Sequence, residues 1–288
     1  DSDPSPDDSN GHGTFVATTV AAPINGVGIA GVAPDVTILP LRACDVVCPL
    51  SAIVESVDYA RQAGVDVINL SLGDYSYSTA MFEAIQDAID AGIVVVAAAG
   101  NDGVDIDAFP FYPASYGLDG LISVASTDRN DQLSDFSNYG DTNVDVGAPG
   151  EDVAAGYVDA SWVTGSSTPF AAPHVAGVAA LIRSVQPAFG PALVAGLISS
   201  SADSKVQLSG LVGSGGRLNA AEALSAVCES DGGDGDDLHM YSSDGGFLLA
   251  DVGMSGCILE IVRSGEYGSG WTHVEAVDLS GDGDDELL

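Results

Sequence analysis

Residues 165–177 read GSSTPFAAPHVAG, and the apolar spacing then continues through Val178, Leu181, Ile182 and Val185 to a stop at Pro187. That pattern predicts one long buried helix. Pro169 suits its first turn, where a missing N–H costs little because the first amides of a helix have no partner within it. Upstream, helices and strands alternate. Ile53, Val57 and Ala60 recur at helical spacing until Gly64, and residues 65–70 follow as a strand; Phe82, Ile85 and Ile89 repeat the helical pattern until Gly92, and residues 93–99 are the next strand. Residues 121–126 and 144–146 read as further strands, Leu193, Val194, Leu197 and Ile198 as a helix, and 218–227 as the last one. Apolar strands between amphipathic helices predict an α/β fold with a doubly wound, mostly parallel sheet, whose ligands bind at the carboxyl ends of the strands.

The chain has 288 residues, with 42 Asp+Glu against 7 Lys+Arg and a net charge of −35. Such a surface repels phosphate backbones and anionic membranes, so nucleic-acid binding is excluded as a main activity. A hydrophobic fraction of 46% without an apolar run of spanning length argues for a sizeable core and no membrane insertion. The four cysteines fall as Cys44 and Cys48 in one loop and Cys228 and Cys257 near the end. An even count suits two local disulfides in an oxidising compartment, although four free thiols fit it too.

Three segments carry chemistry. Gly11, His12, Gly13, Thr14, Phe15, Val16 and Ala17 set a histidine between glycines at the start of a helix; residues 68–73, INLSLG, and 94–103, VVVAAAGNDG, are apolar strands running into glycine. With residues 165–177, and in this order, they resemble the subtilisin-like serine proteases over about four fifths of the chain. The resemblance makes His12 the general base, a role for which an unperturbed pKa of about 6.5 is suited. It makes Asn101 the donor to the oxyanion, a neutral group aimed at charge that appears only in the transition state. Ser71, Leu72 and Gly73 would pair with an extended substrate backbone, and Ala98, Ala99 and Gly100 would wall the pocket for the side chain before the scissile bond. Counting back from Pro173 and His174 puts Pro169 at the nucleophile position. Proline has no hydroxyl.

Ser166, Ser167 and Thr168 stand just upstream, but a nucleophile must come within about 2.6–3.2 Å of its base, and a slip of register moves a hydroxyl by several ångströms. His174 packs inside the helix. Phe15 replaces a frequent second histidine, and Thr18 replaces a usual glycine and crowds a helix contact. The family's catalytic Asp lies on a strand some tens of residues before its histidine, whereas eleven residues precede His12. The resemblance therefore implies a domain truncated at its N-terminus, 1–228. Asp1, Asp3, Asp7 and Asp8, in a Pro/Ser-rich stretch, read as a solvated loop.

Residues 229–237, ESDGGDGDD, have no apolar side chain and mark a boundary. From there the second segment, 229–288, ends in Asp278, Leu279, Ser280, Gly281, Asp282, Gly283, Asp284, Asp285 and Glu286. Oxygen side chains at alternate positions with glycine at the bends form a calcium loop, with Asp278, Ser280, Asp282, Asp284 and Glu286 as ligands. It resembles the FG-GAP/VCBS-type repeat of integrin-type propellers. GDGDD recurs 48 residues earlier, at 233–237, in a degenerate copy. Phe247, Leu248 and Leu249, and 258–262, read as short strands of one all-β blade, with Trp271 in its core. The whole then reads as a secreted, extracellular serine endopeptidase by family, binding polypeptide and calcium, and inactive as written. The alternatives are a peptide-binding pseudoprotease and a calcium-dependent adhesion or display protein whose useful part is the acidic C-terminal segment.

Overall fold

Nothing polar interrupts residues 94–98, and in the computed structural model they form a strand buried along its whole length. A strand covered on both faces needs helices on each side. The structure describes residues 8–44, 47–230, 241–243 and 246–248, in two compact units, Asp1–Ala223 and Leu224–Leu288.

In chain order the elements are α1 (His12–Ala21), α2 (Leu50–Ala63), β1 (Val67–Leu70), α3 (Thr79–Asp90), β2 (Val94–Ala98), β3 (Leu121–Thr127), β4 (Val146–Pro149), β5 (Val153–Tyr157), β6 (Ser161–Gly165), α4 (Thr168–Val185), α5 (Pro191–Ser200), β7 (Asp203–Ser204), β8 (Gly216–Arg217) and α6 (Ala220–Ser230). The principal sheet runs β1-β2-β3-β4-β8-β7, with every pair from β1 to β8 parallel and β7 antiparallel at the end. The mostly parallel, doubly wound sheet is as expected. Val95 and Ala97 join Ile53, Val57, Ile85 and Ile89 of α2 and α3 in one core cluster. Strand side chains alternate between faces, so Val94, Val96 and Ala98 point to the other side, where α4 packs across β1 to β4.

Gly64 ends α2 at φ 71°, a left-handed conformation that glycine adopts without a Cβ penalty. Two strand starts need correction. The strand expected at 65–70 begins at Val67, and the one expected at 144–146 begins only at Val146, because the Val144 amide is turned back to Gly140 O at 3.1 Å. Leu193 lies on the helical period of α5 yet is 46% exposed, whereas Val194 and Ile198 are fully buried. The antiparallel hairpin β5–β6 has no counterpart in the sequence reading. Its Tyr157 ring lies where a Cβ on Gly11 would stand, and its Trp162 ring where one on Gly28 would. In the second unit, Tyr241–Ser243 and Gly246–Leu248 pair as antiparallel strands. The calcium loop, the strand at 258–262, Trp271 and Cys257 lie outside the described residues, as do Leu249 and the side chain of Cys228.

Candidate active site

Thr168 and Pro169 open α4, so the proline stands in the first turn as its chemistry allows. A second proline follows at Pro173. Lacking an N–H, it leaves the Pro169 carbonyl, four residues earlier, without a helical partner. Ser71 supplies one: its Oγ donates to Pro169 O at 2.7 Å and accepts from Asn69 Nδ2 at 2.9 Å. The end of β1 is thereby tied to the start of α4.

The end of β2 is tied to the same turn. Thr168 is fully buried; its Oγ1 accepts from Gly100 N at 3.0 Å and donates to Asn101 Oδ1 at 3.0 Å, and its amide donates to the same oxygen at 2.8 Å. Asn101 Oδ1 is thus held by two donors, which turns its Nδ2 outward to Ser167 Oγ at 3.0 Å. A cavity of about 360 Å³, near the lower end of the ~300–1,000 Å³ of small-molecule sites, is lined by Leu72, Gly73, Ala98, Gly100, Asn101, Asp102, Phe111, Thr168 and Pro169. It brings together most of the residues expected there. Ser71 reaches it only through Pro169, and Ala99 is fully buried, in a core cluster with Ile106 and Leu208.

His12 begins α1, which packs on α4. Its ring centroid is 5.9 Å from that of Phe170, and Phe170 stacks on Phe15 at 3.8 Å. His12 is therefore set beside the residue that follows Pro169. Burial lowers the pKa of His12 from its usual value against the opposing pull of the Asp8 charge, so the ring is neutral near neutral pH. Among the described residues no hydrogen bond joins His12 to the upstream hydroxyls. Ser166 Oγ accepts from Asp152 N, while Ser167 and Thr168 are engaged with Asn101. His174 Nδ1 meets Phe170 O at 3.0 Å inside α4, and burial depresses its pKa.

The family model that matches residues 1–226 is that of the subtilase family. The chain belongs to the subtilase family. Subtilisin DY of Bacillus licheniformis is 43% identical over 198 residues, 68% of this chain and 71% of that one. Thermitase of Thermoactinomyces vulgaris is 40% identical over 227 residues, 78% of each chain. Among solved structures, a protease from Pseudoalteromonas arctica superposes with a TM-score of 0.69 at 34% identity, over 75% of this chain and 70% of that one. A cold-adapted subtilisin-like serine proteinase gives 0.62 at 34%, over 76% of each. The described part of this subtilase thus has the subtilisin-like α/β fold.

Two residues beside the cavity escaped the sequence reading, and Asp8, ahead of His12, differs from it. Asn138 is fully buried and holds the loop after β2 on both sides: its Oδ1 accepts from Asp102 N at 3.0 Å and Val104 N at 3.2 Å, and its Nδ2 donates to Ala99 O at 2.9 Å. Nothing in its neighbourhood in sequence marks it, because its partners are more than thirty residues away. Phe111 reads as an ordinary apolar residue in a loop. Asp8 had a signal, an acid just ahead of a helix start. It is no free solvated acid: it accepts from Asn10 N, Gly11 N, Thr14 N and Thr14 Oγ1 at 2.7–2.9 Å. Its pKa is lowered to about 2, the hydrogen bonds from Gly11, Thr14 and Asn10 outweighing desolvation.

A carboxyl with a depressed folded pKa contributes stability that is present above its unfolded pKa, about 3.9, and lost as the pH falls toward the folded value. Asp8→Asn is expected to flatten the loss of stability of this subtilase between about pH 4 and pH 2. Urea titrations of both proteins across that window check it; identical acid limbs would count against it. Cys44 and Cys48 form the first expected disulfide. Among the described residues no three His, Cys, Asp or Glu side chains come together to hold a metal, and no helix is long and apolar enough to cross a membrane.

Proposed function

We propose that this subtilase is a secreted endopeptidase scaffold in which hydrolysis is shut off at Pro169, leaving a cleft that holds extended polypeptide. One observation carries the reading. Ser71, Thr168 and Asn101 keep the hydrogen bonds that draw the ends of β1 and β2 onto the first turn of α4, while the side chain at the centre of that turn has no hydroxyl. Loss of the nucleophile removes acyl transfer, but not the neutral amide of Asn101 or the cavity walls. His12 would be the base and Asn101 the oxyanion donor of the ancestral reaction, with Leu72 and Gly73 on one side of the peptide and Ala98 and Gly100 on the other, Ser71 and the buried Ala99 supporting these walls from behind. The acidic surface and the Cys44–Cys48 disulfide support an extracellular setting. Calcium belongs to the same reading through Asp278, Ser280, Asp282, Asp284 and Glu286, a donor set that fits a hard cation.

Calorimetric titration with a product-like peptide tests the cleft. Gly100 has φ 100°, and a methyl there would stand 2.3 Å from Asn138 Nδ2. Gly100→Ala is therefore expected to displace the wall and weaken binding at least ~10-fold, about 1.4 kcal/mol. Equal binding by both proteins would place the peptide elsewhere and sink the reading.

A further inference from the structure

The slot between Gly73 and Gly100 is already filled. A Cβ on Gly73 would lie 2.2 Å from Phe111 Cε1 and 2.7 Å from Cζ, and one on Gly100 would lie 3.1 Å from both. The ring is wedged between the two backbone walls of the cavity. Its seat is fixed from several sides. Asp74 and Tyr112 exchange backbone hydrogen bonds of 2.8 Å, which ties the chain beside Phe111 to the residue after Gly73. The Phe111 amide donates to Ser115 Oγ at 3.1 Å, Ser115 N donates to Phe111 O at 2.8 Å, and Tyr75 meets the ring edge-on with centroids 5.0 Å apart. Only 8% of Phe111 is exposed, and it joins Ala99, Ile106 and Leu208 in a core cluster. A ring packed on one side into the core and on two others against backbone does not swing away without opening a void.

We propose that Phe111 sets which side chain the cleft accepts, limiting it to one of alanine or serine size where the peptide passes over Gly73 and Gly100. The proposal rests on the peptide-binding reading above. A leucine or phenylalanine at that position would have to expel the Phe111 ring, whereas a methyl or hydroxymethyl group rests on it.

The test is calorimetry of the full chain with two acetylated tetrapeptides, one of four alanines and one in which the last alanine is replaced by phenylalanine. Wild type is expected to bind the first at least tenfold more tightly, in line with the discrimination of roughly 10–200-fold that apolar slots achieve. Phe111→Ala is expected to reverse the order, and Phe111→Leu, which keeps most of the core packing, to narrow the ratio. Equal binding of both peptides by wild type, or an unchanged ratio in Phe111→Leu, overturns the proposal and leaves the peptide-binding reading standing. Failure of wild type to bind either peptide overturns both.

Discussion

Pro169→Ser is expected to take up a fluorophosphonate on the introduced hydroxyl, where the wild-type chain takes up none. Position 169 is the second residue of α4, a site that serine enters without backbone strain. Its carbonyl is already held by Ser71, the neighbouring Phe170 ring lies with its centroid 5.9 Å from that of His12, and burial keeps that histidine neutral and able to accept a proton. The size of the gain depends on whether a carboxylate orients the histidine. In subtilisin, removing the serine costs about 2 × 10⁶ in kcat and removing the aspartate alone about 3 × 10⁴. Among the described residues no carboxylate hydrogen-bonds the His12 ring, so the restored nucleophile should recover the ratio of the two, roughly 10²-fold over wild type. Mass spectrometry of the adduct locates it. Labelling of Ser166 or Ser167 in the wild-type chain would mean that the reactive hydroxyl lies upstream and that the chain is an enzyme as it stands.

Asn138→Ala should be the most destabilising polar substitution near the cleft. It removes one acceptor used by two amides, Asp102 N and Val104 N, and one donor used by Ala99 O. A fully buried group left unpaired costs about 1–3 kcal/mol, and the two amides, in part-buried bonds, fall at the low end of that range, so a loss of roughly 3–6 kcal/mol is expected. For a domain of this size that amounts to a fall in Tm of about 6–24 °C. Asn138→Asp separates the two halves of the effect: it keeps the acceptor but loses the amide donor to Ala99 O and buries a carboxylate. Chemical denaturation with far-UV dichroism measures both. A loss under 1 kcal/mol in Asn138→Ala would show that the loop after β2 holds itself.

The sheet was legible because its signals are local. Ile53, Val57 and Ala60 on one helical face, the unbroken apolar run of β2 and the glycines that stop each helix all lie within a few residues of what they specify. Pro169 was legible for the same reason, being four residues from Pro173. The site was legible only where a motif is contiguous. Asn138 and Phe111 act on segments far away in the sequence, and neither position differs in residue type from an ordinary loop asparagine or core phenylalanine. The hairpin β5–β6 was missed because residues 153–165 alternate weakly, and its Tyr157 and Trp162 find their surfaces on Gly11 and Gly28, near the other end of the chain. Asp8 reads as part of a solvated loop because its neighbours are Pro, Ser and acids; four hydrogen bonds from the first turn of α1 and the residues leading into it prevail.

Thr18 stands where subtilases usually carry glycine, and the expected crowding resolves in one contact. Its Oγ1 donates to Thr14 O at 2.9 Å and accepts from Gly156 N at 3.0 Å, and a Cβ on residue 156 would come within 2.9 Å of its Cγ2. The two positions are therefore coupled: with threonine at 18 a side chain at 156 meets its Cγ2, and glycine at 18 removes that contact, so the cost of filling position 156 depends on what stands at 18 across the seam between α1 and β5.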